Sequence, residues 1–79
     1  MAGTAREANT PYRLAFGRRL RQIRRDRGFS QEGLALETGI ARSYLGGIER
    51  GEKNPALDHI ARLATTLHVQ PAELMPPLS

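Results

Sequence analysis

Cysteine is absent from this chain of 79 residues, and histidine occurs only twice, at His59 and His68. Without cysteine the protein has no disulfide, no thiolate zinc site and no cysteine nucleophile, and an intracellular location is expected. Two histidines are too few for a zinc site, so no metal is predicted. The remaining side chains do not supply a nucleophile, a general base and an orienting partner, which argues against an enzyme, and no cofactor is predicted.

Long apolar stretches are also missing. The first ten residues, MAGTAREANT, lack the apolar segment of a signal peptide, and no part of the chain approaches the roughly 18 apolar residues of a membrane span. We therefore expect a soluble, cytoplasmic protein. A chain of this length forms one small domain with a modest core, which leaves little room for a catalytic cleft.

Positive charge is in excess. Twelve lysines and arginines against eight acids give a net charge of +4, and all but one of the basic residues are arginine. This balance favours an anionic partner. The planar guanidinium can make two hydrogen bonds at once to phosphate or guanine, which favours nucleic acid. Composition alone leaves an acidic membrane or protein surface open as alternatives.

Residues 1–10 are small, polar and aperiodic, which predicts a flexible tail before a single domain over residues 11–79. Inside that domain the apolar residues follow helical spacing, and neither strand-like alternation nor an internal repeat competes. The predicted fold is all-α, a compact bundle of five short helices.

The first helix is predicted from apolar residues at spacings of four, four and three, which are Tyr12, Phe16, Leu20 and Ile23. Gly28 is its expected end, because glycine tolerates the left-handed conformation found there. Seven arginines lie between positions 13 and 27, most of them off the apolar face. That outer face is either solvated or in contact with an anionic partner.

Two short helices with a tight turn between them come next. Ser30 is the expected N-cap of the second helix, since its hydroxyl can accept from free backbone N–H groups, and Gly39 is its expected end. Leu34, Ala35 and Thr38 form the inner face of this helix. Leu45 and Ile48 begin a new inward-facing pair soon afterwards, which is helix-turn-helix spacing over about residues 31–50.

A loop and two further helices complete the predicted domain. The fourth helix is predicted from apolar residues at helical spacing, which are Leu57, Ile60, Ala61, Ala64 and Leu67. His68 stands where a helix-ending residue belongs, and Pro71 can begin a short fifth helix.

The predicted third helix contains two adjacent glycines, although each costs about 1 kcal/mol relative to alanine inside a helix. At about 100° per residue, Gly46 and Gly47 lie on the face opposite the core. Ser43 and Arg50 share that face, and Arg42 lies on its flank, whereas the inward residues are Ala41, Leu45 and Ile48. Such a bare outward face predicts close approach to a groove, and the major groove of DNA admits one helix. Exposed glycines without a role are the alternative.

A family resemblance is visible in the segment SQEGLALETGIARSYLGGIERGEKNP. It resembles the DNA-binding domain of the Xre-type helix-turn-helix family, which includes phage repressors and the controller proteins of restriction-modification systems. The resemblance extends over about residues 14–75, and RSYLGGIERG with LATTLHVQPAELM is most similar to the controller proteins. It implies a transcription regulator that binds a near-palindromic double-stranded DNA operator as a homodimer. Such a regulator represses if it covers a promoter, or activates if it binds beside one in contact with RNA polymerase, and the sequence does not choose between the two. No membrane partner is implied.

The resemblance also implies roles for individual residues. The positions that match base-contacting residues are Arg42, Ser43, Tyr44, Gly46 and Gly47. The positions that match phosphate-contacting residues are Gln31, Arg50, Lys53 and Asn54. Arg24 and Glu49 match an ion pair between the first helix and the end of the recognition helix. For each of the DNA-contacting polar side chains, a surface group without a partner is the alternative.

Departures from the family pattern lie mainly at helix starts. Ala41 and Ala56 stand where the family usually has a capping Ser or Thr, a loss of about 1 kcal/mol each, and Gly33 stands where a capping-box Glu is common. A small domain cannot bury every apolar residue near its C-terminus, so several are candidate dimer contacts or, equally, members of the core. They are Leu63, Leu67, Val69, Leu74 and Met75.

Other functions fit the same pattern. An antitoxin or a phage-type repressor would carry a similar motif. In a different class, the domain would be a protein-interaction module that bridges transcription factors through its arginine-rich first helix.

Overall fold

The computed structural model describes the backbone of residues 5–76 and the side chains of residues 11–76. Residues 5–76 fold into five helices: α1 (Ala5–Asp26), α2 (Gln31–Thr38), α3 (Arg42–Glu49), α4 (Leu57–Leu67) and α5 (Pro71–Leu74). Residues 5–76 contain no strand, and no helix among them is both long and apolar enough to cross a membrane. The predicted five-helix fold is confirmed.

The first helix is longer than predicted. It begins at Ala5, so the prediction of a tail is wrong for residues 5–10, while residues 1–4 lie outside the described part of the chain. Ala, Arg and Glu are strong helix formers, and they extend α1 without contributing the apolar periodicity on which the prediction depends. The helix continues through Pro11, which has no N–H to donate within the helix.

The core draws on all five helices. Its buried apolar residues are Phe16, Leu20, Ile23, Leu34, Ala35, Ile40, Leu45, Ile48, Leu63, Ala64, Leu67 and Leu74. The predicted inner face of α2 is therefore confirmed, with Thr38 also buried. That of α1 is confirmed for Phe16, Leu20 and Ile23, whereas Tyr12 is half-buried at its edge. On α4 the predicted face is rotated, because Leu57 is 80% exposed and Leu63 has no exposed surface. Both residues fit a helical repeat, so only tertiary packing distinguishes them.

Three of the candidate dimer residues are buried inside the monomer. Leu63, Leu67 and Leu74 have no exposed surface, so they complete the core and are not available to a second chain. Val69 is half-buried, and Met75 retains 39% of its surface.

The helix ends follow local chemistry. The Ser30 hydroxyl accepts a hydrogen bond from the Gly33 N–H at 2.9 Å, as predicted for an N-cap. Gly39 and His68 end α2 and α4 in the left-handed conformation, with φ of 75° and 58°. Ala41 and Ala56 cap α3 and α4 without a side-chain hydrogen bond. Ala41 is exposed, contrary to its predicted inward position, because it precedes the first turn of α3.

Helices α1 and α3 touch through their backbones. A Cβ atom built on Gly17 would lie 2.5 Å from the carbonyl oxygens of both Ile48 and Glu49. Real side chains do not tolerate such a distance, so this crossing requires glycine at position 17. The crossing brings the end of α3 beside α1, and it places Glu49 within reach of Arg24.

Candidate nucleic-acid interface

A buried ion pair joins α1 to the end of α3. Arg24 Nε donates to Glu49 Oε2 at 2.5 Å, and Arg24 Nη2 donates to Glu49 Oε1 at 3.0 Å. The two side chains are only 8% and 3% exposed. Arg24 Nη1 also donates to the Phe29 carbonyl at 2.8 Å, just before α2 begins. The predicted pair is therefore present, with two parallel bonds that join α1 to α3. The third bond of Arg24 adds the segment before α2 to the same arrangement.

Gln31 extends this contact toward the start of α3. Its Nε2 donates to Glu49 Oε1 at 2.9 Å, and its Oε1 accepts from Arg42 Nη1 across a longer 3.4 Å. Because an ionised carboxylate only accepts hydrogen bonds, Glu49 sets which end of the Gln31 amide faces it. The Gln31 carbonyl consequently faces Arg42. Sequence reasoning assigns Gln31 to a phosphate and does not anticipate this link to the recognition helix.

The outward face of α3 is not bare. Gly46 and Gly47 are both buried, so the prediction that they form an exposed glycine surface is wrong. A Cβ atom on Gly46 would lie 3.1 Å from Arg50 Nη1, and one on Gly47 would lie 2.7 Å from Lys53 Cγ. The glycines face away from the apolar core, as predicted, but long basic side chains lie across them. A helical wheel of residues 41–50 omits Lys53 and cannot show that Arg50 folds back.

The remaining predicted base-contacting side chains differ in their surroundings. Arg42 and Ser43 are exposed in the first turn of α3. Tyr44 is half-buried against the core, and its hydroxyl donates to the Asn54 carbonyl at 3.2 Å. Its ring centroid lies 5.0 Å from that of His59. Tyr44 thus holds the loop after α3 against α4, and its contact with DNA stays a prediction.

Basic side chains from α1 extend the positive surface beside the motif. They line a cleft whose residues are Arg21, Arg24, Arg25, Gln31, Glu49 and Arg50. Among these, Glu49 is the only acid, and it is already bonded to Arg24 and Gln31. Neither Arg21 nor Arg25 forms an ion pair among the described side chains. Sequence reasoning gives these two arginines no individual role, although their spacing of four places them on one exposed face of α1.

Arg50 and Lys53 are exposed after the end of α3, as is Asn54. Arg50 Nε lies 3.1 Å from Glu52 Oε2, and the two side chains are 60% and 58% exposed. An ion pair this accessible contributes about 1 kcal/mol or less. It orients the guanidinium without burying it. The surface around α3 is therefore positively charged and open.

Comparisons with known proteins find relatives of this motif. A family model described as helix-turn-helix matches residues 20–74. Control protein C.BamHI of Bacillus amyloliquefaciens is 45% identical over 64 residues, which cover 80% of this chain and 79% of that protein. YazB of Bacillus subtilis, an uncharacterized HTH-type transcriptional regulator, is 44% identical over 62 residues, with coverage of 78% and 90%.

Solved structures also include similar proteins. The crystal structure of the restriction-modification controller protein C.AhdI from Aeromonas hydrophila has a TM-score of 0.78 and 49% sequence identity. The alignment covers 80% of this chain and 96% of that one.

Proposed function

The chain belongs to the helix-turn-helix family, and from that premise we propose that it is a sequence-specific transcription regulator of the restriction-modification controller type. Helix α3 enters the major groove of double-stranded DNA, where Arg42 and Ser43 contact bases. The cationic cleft beside Gln31 faces the phosphate backbone. The protein works in the cytoplasm, beside the DNA that it regulates.

The observation that carries this proposal is the placement of Arg42. Its guanidinium stands exposed on the first turn of α3, and it contacts Gln31, whose amide is oriented by the buried Glu49. A guanidinium held in this way can make two hydrogen bonds to guanine O6 and N7. The controller proteins C.BamHI and C.AhdI, at 45% and 49% identity, support the subtype.

The proposed active form is a homodimer. One short recognition helix contacts only a few base pairs, and two-fold pairing doubles that number. The half-sites then lie about 34 Å apart on a near-palindromic operator. Met75 and Val69, which flank α5, are the remaining candidate contacts, because they keep exposed apolar surface. Repression follows if the dimer covers a promoter, and activation follows if it binds beside one in contact with RNA polymerase.

Selection of bound sites from a random pool of duplex DNA tests the proposal. The wild-type protein should enrich a near-palindromic consensus and bind it with two chains per site. Arg42→Ala should lose about 1–3 kcal/mol of discrimination at one base position of each half-site. Arg62→Ala, which removes an exposed arginine from α4, is the matched control and should keep the consensus. Recovery of sequences without enrichment by the wild-type protein would refute the proposal.

A further inference from the structure

The two glycines of α3 make room for side chains that follow the helix. Without a side chain at position 46, the Arg50 guanidinium folds back until Nη1 lies 3.1 Å from the point where a Cβ atom would stand. Gln31 Oε1 lies 3.6 Å from that same point. Arg50 therefore presents its guanidinium at the middle of the outward face of α3, beside Gln31, although its backbone belongs to the end of the helix.

Glu52 helps to fix this position. Its Oε2 lies 3.1 Å from Arg50 Nε and occupies one side of the guanidinium, while Gly46 accommodates the Nη1 side. Arg42 approaches Gln31 as well, with Nη1 at 3.4 Å from Oε1. Arg42 thus bonds to the Gln31 carbonyl oxygen, and that oxygen and the Arg50 guanidinium both border the open position at Gly46.

Each guanidinium has the chemistry to recognise a guanine, because its planar donors match the O6 and N7 acceptors in the major groove. Positions 46 and 47 contribute no side chain of their own to base contacts. We propose that Arg42, bonded to the Gln31 carbonyl, and Arg50, lying over Gly46, form a paired guanidinium site that recognises two guanines in each half-site. The inference rests on the proposed function, and it moves Arg50 from a phosphate contact to a base contact.

Lys53 provides the contrast within the same surface. Its aliphatic chain lies across Gly47, with Cγ, Cε and Cδ at 2.7, 3.4 and 3.6 Å from the point where a Cβ atom of residue 47 would stand. Lysine is a point charge without a planar donor pair, which suits a phosphate oxygen. Gly46 and Gly47 therefore leave space for two basic side chains, Arg50 for a base contact and Lys53 for a phosphate contact.

Repeating the DNA selection with single variants tests the paired site. Arg42→Ala and Arg50→Ala should each lose about tenfold to hundredfold preference for guanine, at two different positions of the half-site. Lys53→Ala should weaken binding to all sequences alike and reduce the salt dependence by about one counterion. If Arg50→Ala behaves like Lys53→Ala and keeps the wild-type consensus, Arg50 contacts phosphate and the paired site is refuted.

The glycines supply a second, matched pair of variants. Gly46→Ala crowds Arg50 and should lower the same guanine preference that Arg50→Ala abolishes. Gly47→Ala crowds Lys53 and should change affinity without changing the consensus. Both replacements raise helix propensity by about the same amount, so a difference between the two variants does not come from the helix itself. Thermal unfolding should confirm that each variant is folded. An unchanged consensus for both glycine variants would contradict the seating role of Gly46.

The outcomes separate the two proposals. If the wild-type protein enriches a consensus and Arg50→Ala keeps it unchanged, the paired site is refuted and the proposed regulator function stands. Absence of enrichment by the wild-type protein removes both.

Discussion

Where α1, α2 and α3 meet, a buried ion pair and an amide lie beside the apolar contacts; where α4 meets the rest of the core, the contacts are mainly leucines. Arg24, Glu49 and Gln31 make directional bonds that fix how the recognition helix is presented. Leu63 and Leu67 on α4 have no exposed surface and no directional requirement. Burial of apolar area is the main source of stability, whereas a buried ion pair adds little net stability and constrains geometry. The polar region should therefore govern DNA recognition, and the leucines should govern folding.

The largest effect should come from removing one partner of the buried pair. Glu49→Ala leaves the Arg24 guanidinium buried without its carboxylate, and we expect a loss of about 3–5 kcal/mol in the free energy of unfolding. Urea denaturation measures this change.

A double variant then separates stability from orientation. Arg24→Met with Glu49→Leu replaces the pair by apolar side chains and should recover most of the lost stability. It should nevertheless bind the operator with weaker guanine preference, because Gln31 no longer has a carboxylate to orient its amide. A double variant with wild-type base preference would show that the ion pair serves the fold alone.

The second prediction concerns the leucines. Leu63→Ala should lower the free energy of unfolding by about 2–5 kcal/mol, since it opens a cavity in the core. At a temperature where the variant remains folded, its consensus should match the wild type. Leu57→Ala is the control, because Leu57 lies on the same helix but is 80% exposed, and it should change stability by about 0.5 kcal/mol or less. A Leu63→Ala protein with altered base preference would contradict the proposal that the leucines govern folding and the polar region governs DNA recognition.

The smallest expected effect is a gain in stability. Ala56 is the N-cap of α4, has extended backbone angles and makes no capping hydrogen bond. Ala56→Ser should therefore stabilise the protein by about 1 kcal/mol, measured as a rise in Tm, with no effect on the operator sequence. Ala61→Ser, at an exposed position inside the same helix, should instead lower stability by a few tenths of a kcal/mol because serine is the poorer helix former. Equal shifts for both variants would refute the capping explanation.

Local features could be predicted from the sequence because their causes are local. Ser30 caps α2 through an N–H only three residues away, and Gly39 ends that helix through its own backbone conformation. The rotated face of α4 was not predictable in this way. Leu57 and Leu63 fit the helical repeat equally well, and the choice between them depends on how α4 packs against the other helices.

The sequence predicts which residues belong to the candidate site better than it predicts the hydrogen bonds between them. The Arg24–Glu49 pair came from family resemblance, and the structure contains it. The link from Glu49 through Gln31 to Arg42 joins positions that are distant along the chain, so no periodicity indicates it. The sequence does not indicate the burial of Gly46 for a similar reason, because that burial depends on the path of the Arg50 side chain.

Gly17 has a practical consequence for redesign. It lets the α1 backbone rest against the last carbonyls of α3, and so it sets how far the recognition helix protrudes from the domain. Protein engineers who exchange outward residues of α3 to retarget the operator can treat this spacing as constant while position 17 stays glycine. Any larger residue there would shift α3 relative to α1, and all of the proposed base contacts would move together.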